Sequence, residues 1–115
     1  MSAAMSRPEA TALAPVFAAL GDPTRAAILD RLSREGRLTL TDLSRGAPIS
    51  RQAVSRHVAV LADAGLVTGA REGRELRLSL RPEALVVAAS WLAQVSAAWD
   101  GALDRLKRQV EEETD

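Results

Sequence analysis

Ile49-Ser50-Arg51-Gln52-Ala53-Val54-Ser55-Arg56-His57-Val58-Ala59-Val60-Leu61 is the stretch that decides the fold. Val54, Val58 and Leu61 recur at helical spacing and predict a core-facing side. Arg51, Gln52, Ser55 and Arg56 point the other way, bunched in the first two turns. Ser50 is placed to cap the start, and Gly65 follows the end. An exposed N-terminal half carrying Arg, Gln and Ser is what reading a DNA major groove requires. Arg matches the acceptor pair of guanine, Gln the donor and acceptor of adenine, and Ser a base or a phosphate.

Immediately upstream, Gly46-Ala47-Pro48-Ile49 reads as a turn, and Thr39 caps a short helix with Asp42 three residues on and Leu40 and Leu43 facing inward. Two short helices joined by a tight turn, the second with the polar face, make a helix-turn-helix over 39–64. Downstream, Leu66 to Ala70 reads as a strand and Glu72-Gly73 as a turn. Leu76, Leu78 and Leu80 then alternate with Arg77, Ser79 and Arg81. This β-hairpin at 66–80, with arginines at its tip and on one face, has the position of a wing.

Longer helices flank this unit. Ser6 to Glu9 fits a capping box, followed by a stripe of Leu13, Val16, Phe17 and Leu20. Pro15 lies inside the stripe, so this helix is expected to kink there or to start later than Ser6. Gly21 ends it. Asp22-Pro23 opens the next helix, which carries Ala26, Ile28, Leu29 and Leu32 and stops at Gly36. Pro82 opens a final helix whose apolar positions Leu85, Ala88, Leu92, Val95, Trp99, Ala102 and Leu106 alternate three and four apart, widened by Leu103. Such a stripe in a short chain reads as a dimer seam. The expected fold is mainly α with a small β-hairpin, a winged helix-turn-helix in one domain over 1–115, with dimerisation helices at 9–20 and 82–111.

A chain of 115 residues, 47% of them apolar, suits one folded domain. Its only aromatics are Phe17, Trp91 and Trp99, so Leu, Val, Ala and Ile must build the core. No cysteine is present, which excludes disulfides and thiolate metal sites. No apolar run reaches membrane-spanning length and Met1 to Arg7 lacks an apolar signal segment, so a cytoplasmic location and no membrane partner are expected. Net charge is zero, which counts at first against a nucleic-acid partner. The distribution reverses this. Between Ser50 and Arg81, six arginines face three acids, while four acids crowd the last five residues. Only Lys107 among the cations is not arginine, which favours planar, bidentate contacts.

Ala19-Leu20-Gly21-Asp22-Pro23-Thr24-Arg25, the Ser50–His57 helix and Leu61-Ala62-Asp63-Ala64-Gly65-Leu66-Val67, at this spacing, resemble the ArsR/SmtB family of bacterial winged-helix repressors. The resemblance runs from about residue 12 to 110. It implies a homodimer that binds an imperfect palindrome in promoter DNA and represses. The helix matching 50–63 enters the major groove, the hairpin matching 66–80 reaches the flanking backbone or minor groove, and the outer helices form the dimer interface. Many members sense metals through cysteines or through His, Asp and Glu ligands. This chain has no cysteine and a single histidine inside the reading helix, so no metal and no cofactor is expected and a small-molecule effector stays open. Trp99-Asp100-Gly101 looks like the non-metal branch.

The expected DNA contacts are Gln52 and Arg56 on base edges; Ser50, Arg51 and Ser55 on phosphate or base; and Arg71, Arg74 and Arg77 from the hairpin. The hairpin arginines also fit ordinary solubilising charge on an edge strand. His57 fits either a structural hydrogen bond or a phosphate contact; no nearby carboxylate in the sequence supports catalysis or a metal. Arg25 is a further candidate for phosphate. The expected dimer interface is Leu13, Phe17, Leu92, Val95, Trp99, Leu103 and Leu106, with Trp91 and Trp99 either packing there or lining an effector pocket. No paired acid and base, activated nucleophile or phosphate-binding glycine loop appears, so no catalytic residue is assigned and an enzyme is not expected. The competing function is a winged-helix module that binds protein instead of DNA.

Overall fold

The computed structural model describes the backbone of residues 2–114 and the side chains of residues 10–113. The chain order is α1 (Ser2–Leu20), α2 (Pro23–Glu35), β1 (Leu38–Thr39), α3 (Leu40–Ser44), α4 (Arg51–Asp63), β2 (Val67–Glu72), β3 (Glu75–Leu80) and α5 (Pro82–Thr114). No helix of the described residues is long and apolar enough to cross a membrane.

Local chemistry sets most of these boundaries. Asp22 is the N-cap of α2, its carboxylate accepting the Arg25 N–H at 3.0 Å, with Pro23 in the first turn. Thr39 and Asp42 form a reciprocal capping box on α3: Asp42 N–H donates to Thr39 Oγ1 and Thr39 N–H to Asp42 Oδ2, each at 3.0 Å. These bonds hold the Asp42 carboxyl below its ordinary range. Ser50 Oγ accepts the Ala53 N–H at 3.1 Å and starts α4. At the far end Gly65 adopts φ +78°, and Leu66 N–H returns to Leu61 C=O at 2.9 Å. Leu61 and Leu66 are both fully buried, so the helix stop is also a core contact.

The core gathers Val54, Val58 and Leu61 of α4 with Ile28, Leu29 and Leu32 of α2, Leu43 of α3, Leu78 of β3, and Leu13, Val16 and Ala19 of α1. This packing explains α1. It runs unbroken through Pro15, correcting the expected kink or late start. Pro15 is exposed, so water can satisfy the carbonyl it leaves without a donor, and burial of Leu13, Val16 and Ala19 offsets a proline penalty of about 3 kcal/mol. The expected capping box at Ser6–Glu9 lies outside the described side chains.

The sheet is antiparallel in the order β1-β3-β2. Its third strand, β1, was not anticipated: Leu38 pairs with Leu78 and Thr39 with Arg77. A two-residue strand has no alternation to read, and its partner lies about forty residues away. In the hairpin Val67 faces Leu80 and Glu72 faces Glu75, leaving Gly73-Arg74 as the turn, with Gly73 at φ +64° as a type II′ turn requires.

Among the described residues, α5 joins the core at its start. Ala84, Leu85, Ala88 and Trp91 join the core, and the Trp91 ring lies 5.6 Å from that of Phe17 on α1. Beyond this the helix leaves the domain. The molecule measures 71 × 31 × 20 Å with a radius of gyration of 19.4 Å, against about 13 Å for a compact chain of this length.

Candidate nucleic-acid interface

With Val54, Val58 and Leu61 turned inward, the opposite side of α4 presents Arg51, Gln52, Ser55 and Arg56 to solvent. The side chains of Gln52, Ser55 and Arg56 have no hydrogen bond or ion pair among the described residues, so their donors and acceptors are available to a ligand. Ser50 is exposed but its Oγ is engaged as the cap.

Arg51 is held rather than loose. Its Nη1 donates to Thr41 Oγ1 at 2.8 Å, and Thr41 Oγ1 donates to Glu75 Oε1 at 3.0 Å. This chain runs from α4 through α3 to the tip of the wing, where Glu75 flanks the turn. Sequence reading missed Thr41 and Glu75, since nothing local links positions 41, 51 and 75.

The three hairpin arginines separate. Arg71 and Arg74 are exposed and have no side-chain partner among the described residues, and Arg74 sits in the turn itself. Arg77 is half-buried in the central strand, paired with Glu72, which Arg37 also reaches at 3.3 Å. The bond from Arg77 holds the Glu72 carboxyl below its ordinary range. Any phosphate contact by Arg77 therefore competes with an ion pair already made.

His57 is half-buried, and its Nδ1 faces α2. It lies 3.2 Å from Arg25 Nη1 and 3.8 Å from Asp22 Oδ2. Folding thus supplies a carboxylate neighbour that the sequence did not indicate. Arg25 also donates from Nε to Ala19 C=O at 2.8 Å and from Nη2 to Ala18 C=O at 3.3 Å, so its guanidinium is committed inside the fold.

The residues expected at a dimer interface divide as well. Leu13 is 4% exposed in a single copy, and Phe17 packs on Trp91. Leu92, Trp99, Leu103 and Leu106 stand out along α5, between 49% and 64% exposed, with Val95 half-buried among them. Trp91 is clamped against α1 while Trp99 projects two turns further on, so the two indoles do not share a pocket.

Residues 20–70 match a family described as a helix-turn-helix domain. The Bacillus subtilis protein YuzN, an uncharacterized HTH-type transcriptional regulator, is 48% identical over 65 residues, covering 51% of this chain and 71% of YuzN. The HTH-type transcriptional regulator Rv2034 of Mycobacterium tuberculosis is 36% identical over 97 residues, covering 84% of this chain and 87% of the relative. Among solved structures, an ArsR-like transcriptional regulator from Rhodococcus sp. RHA1 superposes with a TM-score of 0.78 at 37% identity, over 89% of this chain and 93% of the other.

Proposed function

As a member of the ArsR/SmtB family this chain is a DNA-binding transcriptional regulator, and we propose that it acts as a homodimeric repressor on a palindromic promoter site. The observation that carries the reading is the pairing of two unpartnered surfaces. One is the row Gln52, Ser55 and Arg56 on α4, and the other is the apolar face of α5 beyond Trp91.

In this reading α4 lies in the major groove. Gln52 and Arg56 address base edges, Ser55 a base or phosphate, and Arg51 the backbone from its seat on Thr41. The amide dipoles at the start of α4 add to phosphate attraction. Arg71 and Arg74 carry the wing to the flanking backbone. The α5 faces of two copies cover each other, so the two reading helices are related by a two-fold axis and the site is expected to be palindromic. Such a dimer represses by occupying the promoter in place of polymerase, and it meets that DNA in the cytoplasm.

The test is selection of bound fragments from random DNA, followed by mobility shift at two salt concentrations. Two half-sites about one helical turn apart, or a multiple of that, are expected. Log affinity should fall with log salt at a slope of about −0.9 per neutralised phosphate. Recovery of only asymmetric single sites contradicts the dimer. Failure to bind any duplex in dilute buffer overturns the DNA reading and points to a module that binds protein.

A further inference from the structure

Arg25 stands where three elements meet. Its backbone N–H donates to the Asp22 cap, its Nε and Nη2 donate to the last carbonyls of α1, and its Nη1 lies 3.2 Å from His57 Nδ1 on α4. A guanidinium only donates. The contact with His57 therefore needs Nδ1 as an acceptor, with the ring proton on Nε2. We propose that Arg25 is a positioning residue, fixing the reading helix against the end of α1 through a neutral His57, and that DNA affinity falls when this imidazole gains a proton. The proposal rests on the DNA-binding reading above.

The surroundings of His57 decide the direction. From α2 it faces Arg25 and Asp22. α1 offers no ionisable side chain between residues 10 and 20. On α4 itself the charged neighbours are Arg56 and, further along, Asp63, which shares a shallow hollow with Arg25 and Val60. A second proton turns Nδ1 into a donor and sets two cations against each other. Among the described residues the anion in reach is Asp22, whose Oδ2 already accepts the Arg25 N–H. The charged ring is thus pushed from Arg25 and drawn toward the start of α2. Because His57 follows Arg56 directly, the displacement is felt in the turns that carry Gln52, Ser55 and Arg56.

The experiment measures affinity for a selected site by fluorescence anisotropy from about pH 8 to about pH 5.5, at fixed ionic strength. It uses the full chain and two variants. His57→Asn places a carbonyl oxygen where Nδ1 stands and cannot take up a proton; Arg25→Met removes the donor. The wild type should weaken by about tenfold across the range, the loss of one charge-assisted hydrogen bond. His57→Asn should match it at the alkaline end and stay flat, and Arg25→Met should be weak and flat throughout. Imidazole ¹⁵N shifts recorded without DNA should show Nδ1 as the bare nitrogen at the alkaline end. A flat wild-type profile, or a His57→Asn profile as steep as wild type, overturns the proposal. Should Arg25→Met fail to fold by circular dichroism, His57→Asn decides alone. Absence of binding by the wild type at every pH overturns the DNA reading instead, and the ¹⁵N shifts then still judge the contact.

Discussion

Replacing Trp99 with alanine is the sharpest probe of the α5 face. The indole is 64% exposed in a single copy. A tryptophan buries about 200 Å² when covered, which leaves about 130 Å² here to be hidden by a partner. At about 25 cal/mol per Å² this is about 3 kcal/mol per copy, or about 6 kcal/mol for an interface that uses the residue twice. Alanine retains part of the contact, and association also orders the ring, so about half is expected to be realised. Trp99→Ala should therefore cost about 3 kcal/mol and raise the dimer dissociation constant by roughly a hundredfold. Sedimentation velocity over a dilution series reads this directly, with far-UV circular dichroism confirming that the helices persist. An unchanged dissociation constant would show that the two copies join elsewhere, and a wild-type chain that sediments as a monomer at every concentration would refute the interface altogether.

Further outcomes follow from other features. Arg74→Ala should weaken binding about equally for all sequences and reduce the magnitude of the salt slope by about one, measured by titration at several salt concentrations; an unchanged slope would leave the wing tip off the backbone. Thr39→Val keeps the branched shape that suits β1 but removes the hydroxyl accepting the Asp42 N–H, and should cost about 1 kcal/mol in urea unfolding. Asp22→Asn keeps a capping oxygen while removing the charge. The Arg25 N–H lowers the Asp22 carboxyl below its ordinary 3.8, so its stabilisation is complete above that value and is lost as pH falls through the lowered one. The variant should be less stable than wild type near neutrality and converge with it in acid, so that its stability falls less steeply as pH drops; an acid limb as steep as wild type would count against it.

The parts of this fold that the sequence announces are those fixed within a few residues of themselves. Asp22, Thr39 and Ser50 each cap a helix through a backbone N–H three positions on, so residue type and spacing suffice. The inward side of α4 was equally plain, because Val54, Val58 and Leu61 follow one helical period. What stayed hidden depends on distant partners. β1 exists because Leu38 and Thr39 meet Leu78 and Arg77. The continuity of α1 across Pro15 reflects tertiary burial overriding a local penalty. The same divide runs through the interface. Gln52, Ser55 and Arg56 could be picked out as outward-facing from their own helix, but the engagement of Arg77 by Glu72, of Arg51 by Thr41 and of His57 by Arg25 requires the folded arrangement.

The overhang of α5 ties the fate of this protein to how much of it is present. A solitary copy carries a bare greasy rod that its own domain cannot shelter, and such a segment invites proteolysis and clumping. In the proposed dimer a second copy would conceal it, and by mass action the protein would gain stability as supply rises. If the chain pairs as proposed, turnover and operator occupancy would move in opposite directions with synthesis, converting modest changes in expression into a steeper change in repression than a lone-chain regulator could deliver.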